Sequence, residues 1–273
     1  GRCLKMTEAD SIALVTLPNT KESLVADLKA LGVKEGDIVL AHASMSKLGW
    51  TVGREVTVID ALIEAVGESG TLIMPSQTGD NSDPQAWQNP PVPQEWIEMI
   101  KANMPPFDPL RTPTRAMGKV VEALLHYPNV MRSNHPQVSF CGYGKYAKEI
   151  LSNHQLTPGL GDGSPLKKLY DRKAKILLLG VGYGNCTALH LSESHQENMA
   201  WIDTGASVLH DNQVQWIDFK EMDYSDEDFE ALGIDYELTT KVAKGKVGAS
   251  LCRYIDLQDL CDFADEWFKK NRK

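Results

Sequence analysis

In GNCTALHLSES, residues 184–194, a histidine stands three residues after a threonine and three before a glutamate. Thr187, His190 and Glu193 therefore share one face of any helix formed here. An imidazole with an ordinary pKa near 6.5 takes up and releases protons at neutral pH, and a neighbouring carboxylate can fix its tautomer and stabilise its charged form. The trio reads as a general base with its orienting acid. It reads equally as a buried histidine satisfied by a backbone carbonyl, and position alone does not separate the two. Two other chemistries compete. Cys186 lies four residues before His190, a spacing open to a thiol nucleophile and its base, although a buried cysteine is more often packing. His195 falls five residues after His190, which does not align two metal ligands on one helix face as an i, i+4 pair does, so no metal is expected.

Other clusters suit anions or cations. His42, Ser44 and Ser46 alternate in AHASMSKLGW at the end of an apolar run. The small residues that follow offer backbone N–H groups to an anion, or else a capped turn. Arg132 and His135 stand beside the rigid Pro136 in RSNHPQVSF, where an arginine suits a phosphate, a carboxylate ligand or a core carboxylate. GVGYG invites a dinucleotide reading, but Asn185 occupies the place of the third glycine, so the fingerprint fails and a tight turn is the better account. Asp218 to Glu237 holds nine acidic residues and one lysine, a solvated face or an attractor of cations.

These side chains need elements to hold them. In TKESLVADLKALG, Thr20 is a cap, Leu24, Leu28 and Leu31 keep helical spacing, and Gly32 is a stop. DIVLAHAS and TLIMPS read as buried strands and EVTVIDALIEAVG as the helix between them. The strand AKILLLG leads into the His190 motif, placing that histidine just beyond a strand's C-terminal end, where open α/β sheets bind ligands. Gln77 to Thr114 is rich in Pro, Asn and Asp, yet its Trp87, Trp96 and Phe107 argue for an ordered loop with one short helix near QEWIEMIKAN. AMGKVVEALLHYP and KYAKEILSNH are helices, TPGLGDGSPLKKLYD is a Gly-rich stretch, GASVLH and VQWIDF form a hairpin over DNQ, and DLQDLCDFADEWFKKNRK is a last amphipathic helix. The pattern predicts one α/β domain with an inserted or appended lobe.

The 273 residues are 42% hydrophobic with a formal net charge of −9, a balance that suits a cationic partner and disfavours nucleic acid. Five cysteines without a CxxC pair argue against a disulfide framework. No run approaches the roughly 18 apolar residues of a membrane helix, so a cytoplasmic protein is expected, with residues 1–6 a cloning remnant or disordered and Met6 near the natural start.

GDIVLAHASMSKLGWTVG, VIDALIEAVGESGTLIMPSQT, PFDPLRTPTRAMGKVVEALLHYPNVMRSNHPQVSFCGYG and GSPLKKLYDRKAKILLLGVGYGNCTALHLSE follow one another over about residues 36–193. In this order they resemble the aminoglycoside 3-N-acetyltransferase family, whose fold is distinct from the GNAT superfamily. The resemblance implies a single α/β domain over 1–273, a three-layer α/β/α fold with a mixed central sheet and a smaller lobe on the acceptor side. It implies acetyl transfer from acetyl-CoA, without a metal, to the 3-amino group of the 2-deoxystreptamine ring of an aminoglycoside. Antibiotic resistance and a monomeric or homodimeric enzyme are expected with it, with a different small-molecule amine as the alternative acceptor; because no covalent enzyme intermediate is required when both substrates bind together, direct attack in a ternary complex is the expected mechanism. His190 would be the base and Glu193 its orienting acid, with Thr187 or backbone N–H groups between Ala43 and Lys47 facing the developing oxyanion. The coenzyme would run along His42, Ala43, Ser44, Met45, Ser46, Lys47, Leu48 and Gly49, with Ser76, Thr78, Phe107 and Thr112. Asp80, Glu197, Asp203 and Asp223 would receive the polycationic acceptor.

Overall fold

The computed structural model describes residues 5–273, which form nine strands and ten α-helices. Seven strands make one sheet: β1 (Ile38–Ala43), β2 (Thr71–Pro75), β3 (Met131–Arg132), β4 (Phe140–Gly144), β5 (Lys175–Leu179) and, beyond a separate hairpin of β6 (Trp201–His210) and β7 (Gln213–Met222), β8 (Ala243–Val247) and β9 (Ser250–Asp256). Their spatial order is β3-β4-β2-β1-β5-β9-β8. β1 runs parallel to β2 and β5, and the outer pairings are antiparallel. The sheet is therefore mixed.

Side chains on a strand alternate between faces, and the two faces of this sheet carry two separate cores. Leu40, Ile176 and Leu178 point into one; Val39, Ala41, Leu177 and Leu179 point into the other. Helix α1 (Glu8–Ala13) leads to α2 (Lys21–Leu31) and α3 (Arg54–Val66), which close the second face; α4 (Ile97–Asn103) lies in the long loop, and α5 (Lys119–Leu125) completes that layer. The first face is covered by α6 (Ala147–Leu151), α7 (Pro165–Asp171), α8 (Leu189–Ser194), α9 (Phe229–Thr239) and α10 (Leu257–Asn271). Three layers result, as expected. Leu40 and Leu178 keep no accessible surface, and truncating such a leucine to alanine costs about 2–5 kcal/mol.

Local sequence explains the element ends. Thr20 and Ser23 form a reciprocal capping box at the start of α2, and Gly32 ends it at φ 124°, a conformation L side chains rarely adopt. The hairpin pairs from Trp201↔Met222 to His210↔Gln213, and Asp211 and Asn212 both take positive φ at its tip, as a two-residue type I′ turn requires. This hairpin and the 77–114 loop form the lobe. Asn81 holds Ser207 by two hydrogen bonds of 2.9 and 2.8 Å, and the Phe107 N–H donates to the Ser207 carbonyl at 3.0 Å.

Several elements depart from the sequence reading, α7, α9, β8 and β9 among them. α7 begins inside the Gly-rich stretch, where Ser164 caps it and Pro165 stands in its first turn. α9 arises in the acidic run because Phe229, Leu232, Gly233 and Tyr236 form a buried stripe among the carboxylates. β8 and β9 complete the sheet. β8 escaped notice because it is an edge strand, AKGKV, whose lysines oppose further pairing, and β9 shares its pattern with no flanking apolar run. Among the described residues no helix is long and apolar enough to cross a membrane. Cys141, Cys186, Cys252 and Cys261 are buried free thiols; residues 1–4, with Cys3 and most of the expected leading remnant, lie outside the described residues.

Candidate active site

β1 and β5 are neighbours in the middle of the sheet, and His42 pairs with Leu178, Ala43 with Leu179. Both strands therefore end together, and the chain leaving β5 turns through Gly180 at φ 68° into a short turn and then α8. This brings His190, the second residue of α8, beside His42 at the sheet's ligand-binding edge.

Glu193 has no accessible surface, and one of its oxygens accepts from His190 Nδ1 at 2.7 Å. Its other oxygen accepts from the Ser225 N–H at 2.9 Å and from Arg272 Nη1. Arg272 is itself fixed: it donates to both Asp228 oxygens at 2.9 and 2.7 Å and to the Ser225 carbonyl at 2.9 Å, and it stacks on Phe268 at 4.3 Å. Burial opposes its charge, but the Asp228 and Glu193 carboxylates outweigh burial and raise its pKa. Tyr224 and Phe229 hold the His190 ring from two sides at centroid distances of 5.3 and 4.9 Å. With Nδ1–H given to a carboxylate, the lone pair of the neutral ring is on Nε2.

His190 lines a cavity of about 190 Å³ with His42, Thr187, Asn185, Gln77 and Asp226. A second cavity of about 630 Å³ has largely apolar walls, including Pro105, Pro106 and Phe107, with Thr112 and the cation Arg111 among them. The same stretches of chain line both: Pro75 and Gln77 face the first cavity and Thr78 the second, and Ala116 faces the first and Pro113 the second. The site is thus a braced histidine in a small polar chamber beside a larger apolar one.

The expected residues divide. Thr187, His190, His42 and Ala43 line the small cavity; Thr78, Phe107, Thr112 and Asp80 line the large one. Ser44 to Gly49 line neither. Leu48 is a core residue whose carbonyl accepts from Asn19 at 2.7 Å, and a Cβ on Gly49 would sit 2.5 Å from Val15, so this turn packs against the N-terminal segment. Ser76 is fully buried and bonded to Ser139 at 2.9 Å. Asp80 pairs with Arg115. Glu197, Asp203 and Asp223 are exposed away from both cavities, Asp203 facing Lys220 at 3.6 Å.

Arg132 forms no ion pair with a side-chain carboxylate among the described residues. It donates to the carbonyls of Thr112 at 2.6 Å and Ser76 at 3.1 Å and lies over Phe107 at 5.1 Å, fastening the FDPLRTPT loop to the sheet. The GVGYG turn admits a protein carboxylate rather than a dinucleotide, since the Gly184 N–H donates to Glu230 at 2.8 Å. Cys186 lines neither cavity, and burial pushes its thiol up to about 12, which leaves it protonated at neutral pH. His195 lies between Asp265 at 3.2 Å and Asp162 at 2.7 Å, which with Asp265 foremost raise its pKa to about 9. Among the described residues no cluster of three metal-binding side chains occurs. Gln77, Asp226, Tyr224, Phe229 and Arg272 were not anticipated. Only the acidic run around Asp226 gave a signal, and it was one of overall charge.

A mixed α/β sheet thus presents a carboxylate-braced histidine in a small cavity at the end of its central parallel strands. Comparison with known proteins names the class. The family model for aminoglycoside 3-N-acetyltransferase matches residues 40–269, and the chain belongs to this family of acyltransferases. It is 44% identical over 257 residues to the SPbeta prophage-derived aminoglycoside N(3')-acetyltransferase-like protein YokD of Bacillus subtilis, covering 94% of each chain. The crystal structure of YokD superposes with a TM-score of 0.95 over 96% of this chain and 98% of that one, at 43% identity. Aminoglycoside N(3)-acetyltransferase VII of Streptomyces paromomycinus is 31% identical, with 93% and 92% coverage. AAC-VIa bound to sisomicin matches with a TM-score of 0.84 at 29% identity, over 93% and 98% of the chains. AAC-IIIb in a binary complex with CoASH matches with a TM-score of 0.83 at 28% identity, over 93% and 97%.

Proposed function

We propose that this enzyme acetylates the 3-amino group on the 2-deoxystreptamine ring of an aminoglycoside with acetyl-CoA as donor, by direct attack with both substrates bound, and so confers resistance. The observation that carries the reading is the His190–Glu193 pair with its free ring nitrogen at the small cavity. The bound sisomicin and CoASH of the two relatives support the substrate classes.

The residues present fit a coenzyme thioester. The large cavity falls within the roughly 300–1,000 Å³ of small-molecule sites, its proline and Phe107 walls suit an extended aliphatic arm, and Arg111 offers a cation to phosphate. Phe107, Thr112, Thr78, His42 and Ala43 would hold the coenzyme, which supplies an activated acetyl group when bound. An aminoglycoside amine is largely protonated at neutral pH and attacks only once it has lost its proton. His190 Nε2 takes that proton. Glu193 holds Nδ1–H and balances the imidazolium charge, while Arg272 and the Ser225 N–H hold Glu193. Thr187 offers its hydroxyl at the same chamber. Asp226 is the carboxylate placed to attract the acceptor's amines at the reacting end, Asp80 stands at the larger cavity, and Glu197, Asp203 and Asp223 add to the negative field that captures a polycation.

Thiol release from acetyl-CoA, followed with a disulfide reagent against a panel of aminoglycosides, tests this. Aminoglycoside-dependent release is expected, falling about 10²–10⁴-fold in a folded His190→Ala variant that still binds coenzyme. Coenzyme binding without release for any aminoglycoside would move the acceptor to another amine; full activity of His190→Ala would remove the base.

A further inference from the structure

His42 is the other histidine of the reaction chamber, and nothing in the proton-transfer scheme uses it. It lines the same small cavity as His190 and Thr187. It is only 6% exposed, and its Nε2 is a buried polar atom with no hydrogen-bond partner. A buried donor or acceptor left unsatisfied costs about 1–3 kcal/mol, and native proteins tolerate few such atoms, commonly where a ligand or a catalytic role completes the bond. The neighbouring chemistry narrows the partner. Amine proton uptake falls to His190, which leaves the acyl oxygen, on which negative charge grows during transfer, as the group a donor at Nε2 would serve beside the Thr187 hydroxyl.

Resting on the acetyl-CoA reading above, we propose that His42 is a catalytic residue whose neutral imidazole donates from Nε2–H to the acyl oxygen of the bound thioester. Burial, with the nearby His190 adding to it, lowers the His42 pKa to about 4, so the ring is uncharged at neutral pH. A neutral ring polarises a carbonyl as a fixed donor without moving a proton, the role a neutral histidine has in other carbonyl chemistry. It also adds no second cation beside the imidazolium that forms on His190. β1 holds the donor rigidly, since His42 is locked in register against Leu178 of β5.

The test compares wild type, His42→Phe and His42→Gln, the last placing an amide N–H near the position of Nε2. Each is bound to acetyl-CoA labelled in its thioester carbonyl, and the carbonyl stretch is read by difference infrared spectroscopy beside the coenzyme Kd, the melting temperature and kcat. Binding to wild type should lower the stretching frequency. His42→Phe should lose that shift and about 10²–10³-fold in kcat at saturating coenzyme, a loss larger than any rise in its Kd, and His42→Gln should retain part of both. An unshifted band in wild type, an equal shift in His42→Phe, or a loss confined to melting temperature or Kd would overturn the assignment and leave the acetyltransferase reading intact. Absence of any acetyl-CoA binding by wild type would instead remove that reading and this one with it.

Discussion

Replacing Arg272 by methionine, which keeps much of the aliphatic stem over Phe268 but removes the guanidinium, should damage the enzyme at two levels. Glu193 is wholly buried, and Arg272 is the cation that meets it. Breaking a buried pair by removing one partner costs about 3–5 kcal/mol, because a charge is left uncompensated. Arg272 keeps 19% of its side-chain surface exposed, so water can reach part of the gap and the lower end, about 3 kcal/mol, is expected. For a chain of this size that corresponds to a fall of about 6–12 °C in melting temperature. Urea unfolding measures the loss as a shift in midpoint at constant slope. Coupling Arg272→Met to Glu193→Gln should recover about 1–2 kcal/mol, since the amide no longer needs a cation, while turnover stays low because the His190 charge loses its balancing carboxylate. A midpoint unchanged in Arg272→Met, or single-variant effects that add within about 0.5 kcal/mol in the double variant, would refute the claim that Arg272 holds Glu193.

Stability should fall in acid. Burial lowers His42 and His135 to about 4 and His154 to about 3, below the roughly 6.5 of an unfolded histidine, so the unfolded chain binds more protons as pH drops from 6.5 towards 4 and the urea midpoint should decline across that window; a flat midpoint from pH 7 to 5 would contradict it. His195 acts in the opposite sense, raised to about 9 chiefly by Asp265, so its contribution is present below about 6.5 and lost as pH rises through 9, where a modest second decline should appear because the ring is partly exposed. Cys186→Ser should leave thiol release within about twofold while costing roughly 1–2 kcal/mol of stability for the buried hydroxyl; loss of turnover in a folded variant would restore the thiol as a participant. Asp226→Asn should raise the acceptor KM several-fold with little change in coenzyme binding, and the difference should shrink at high salt. An unchanged KM at low salt would place acceptor recognition elsewhere.

The His190–Glu193 pair was legible because both partners sit on one short helix, three residues apart, and a spacing argument suffices for contacts within a turn. Arg272 was not, although it touches the same carboxylate. It comes 79 residues later in sequence, on the end of α10, and only the docking of that helix against α8 brings it there. The same limit applies to the turn after β1. The cavity position of His42 and Ala43 is readable because the end of a central parallel strand points towards the ligand edge in any such sheet, whereas the chain at Leu48 and Gly49 packs towards Asn19 and Val15, a contact that nothing in the local pattern encodes. Arg132 gave a true signal with the wrong partner: its type and burial called for several acceptors, and those acceptors are carbonyls of the loop that walls the large cavity. β8 lacked even that. An edge strand with lysines at alternate positions buries little, so its place is set by β9, and the composition of AKGKV carries no trace of it. What local spacing encodes is the His190–Glu193 pair; what fixes that pair in place, and encloses it, is contributed by segments whose relevance exists only after the sheet has assembled.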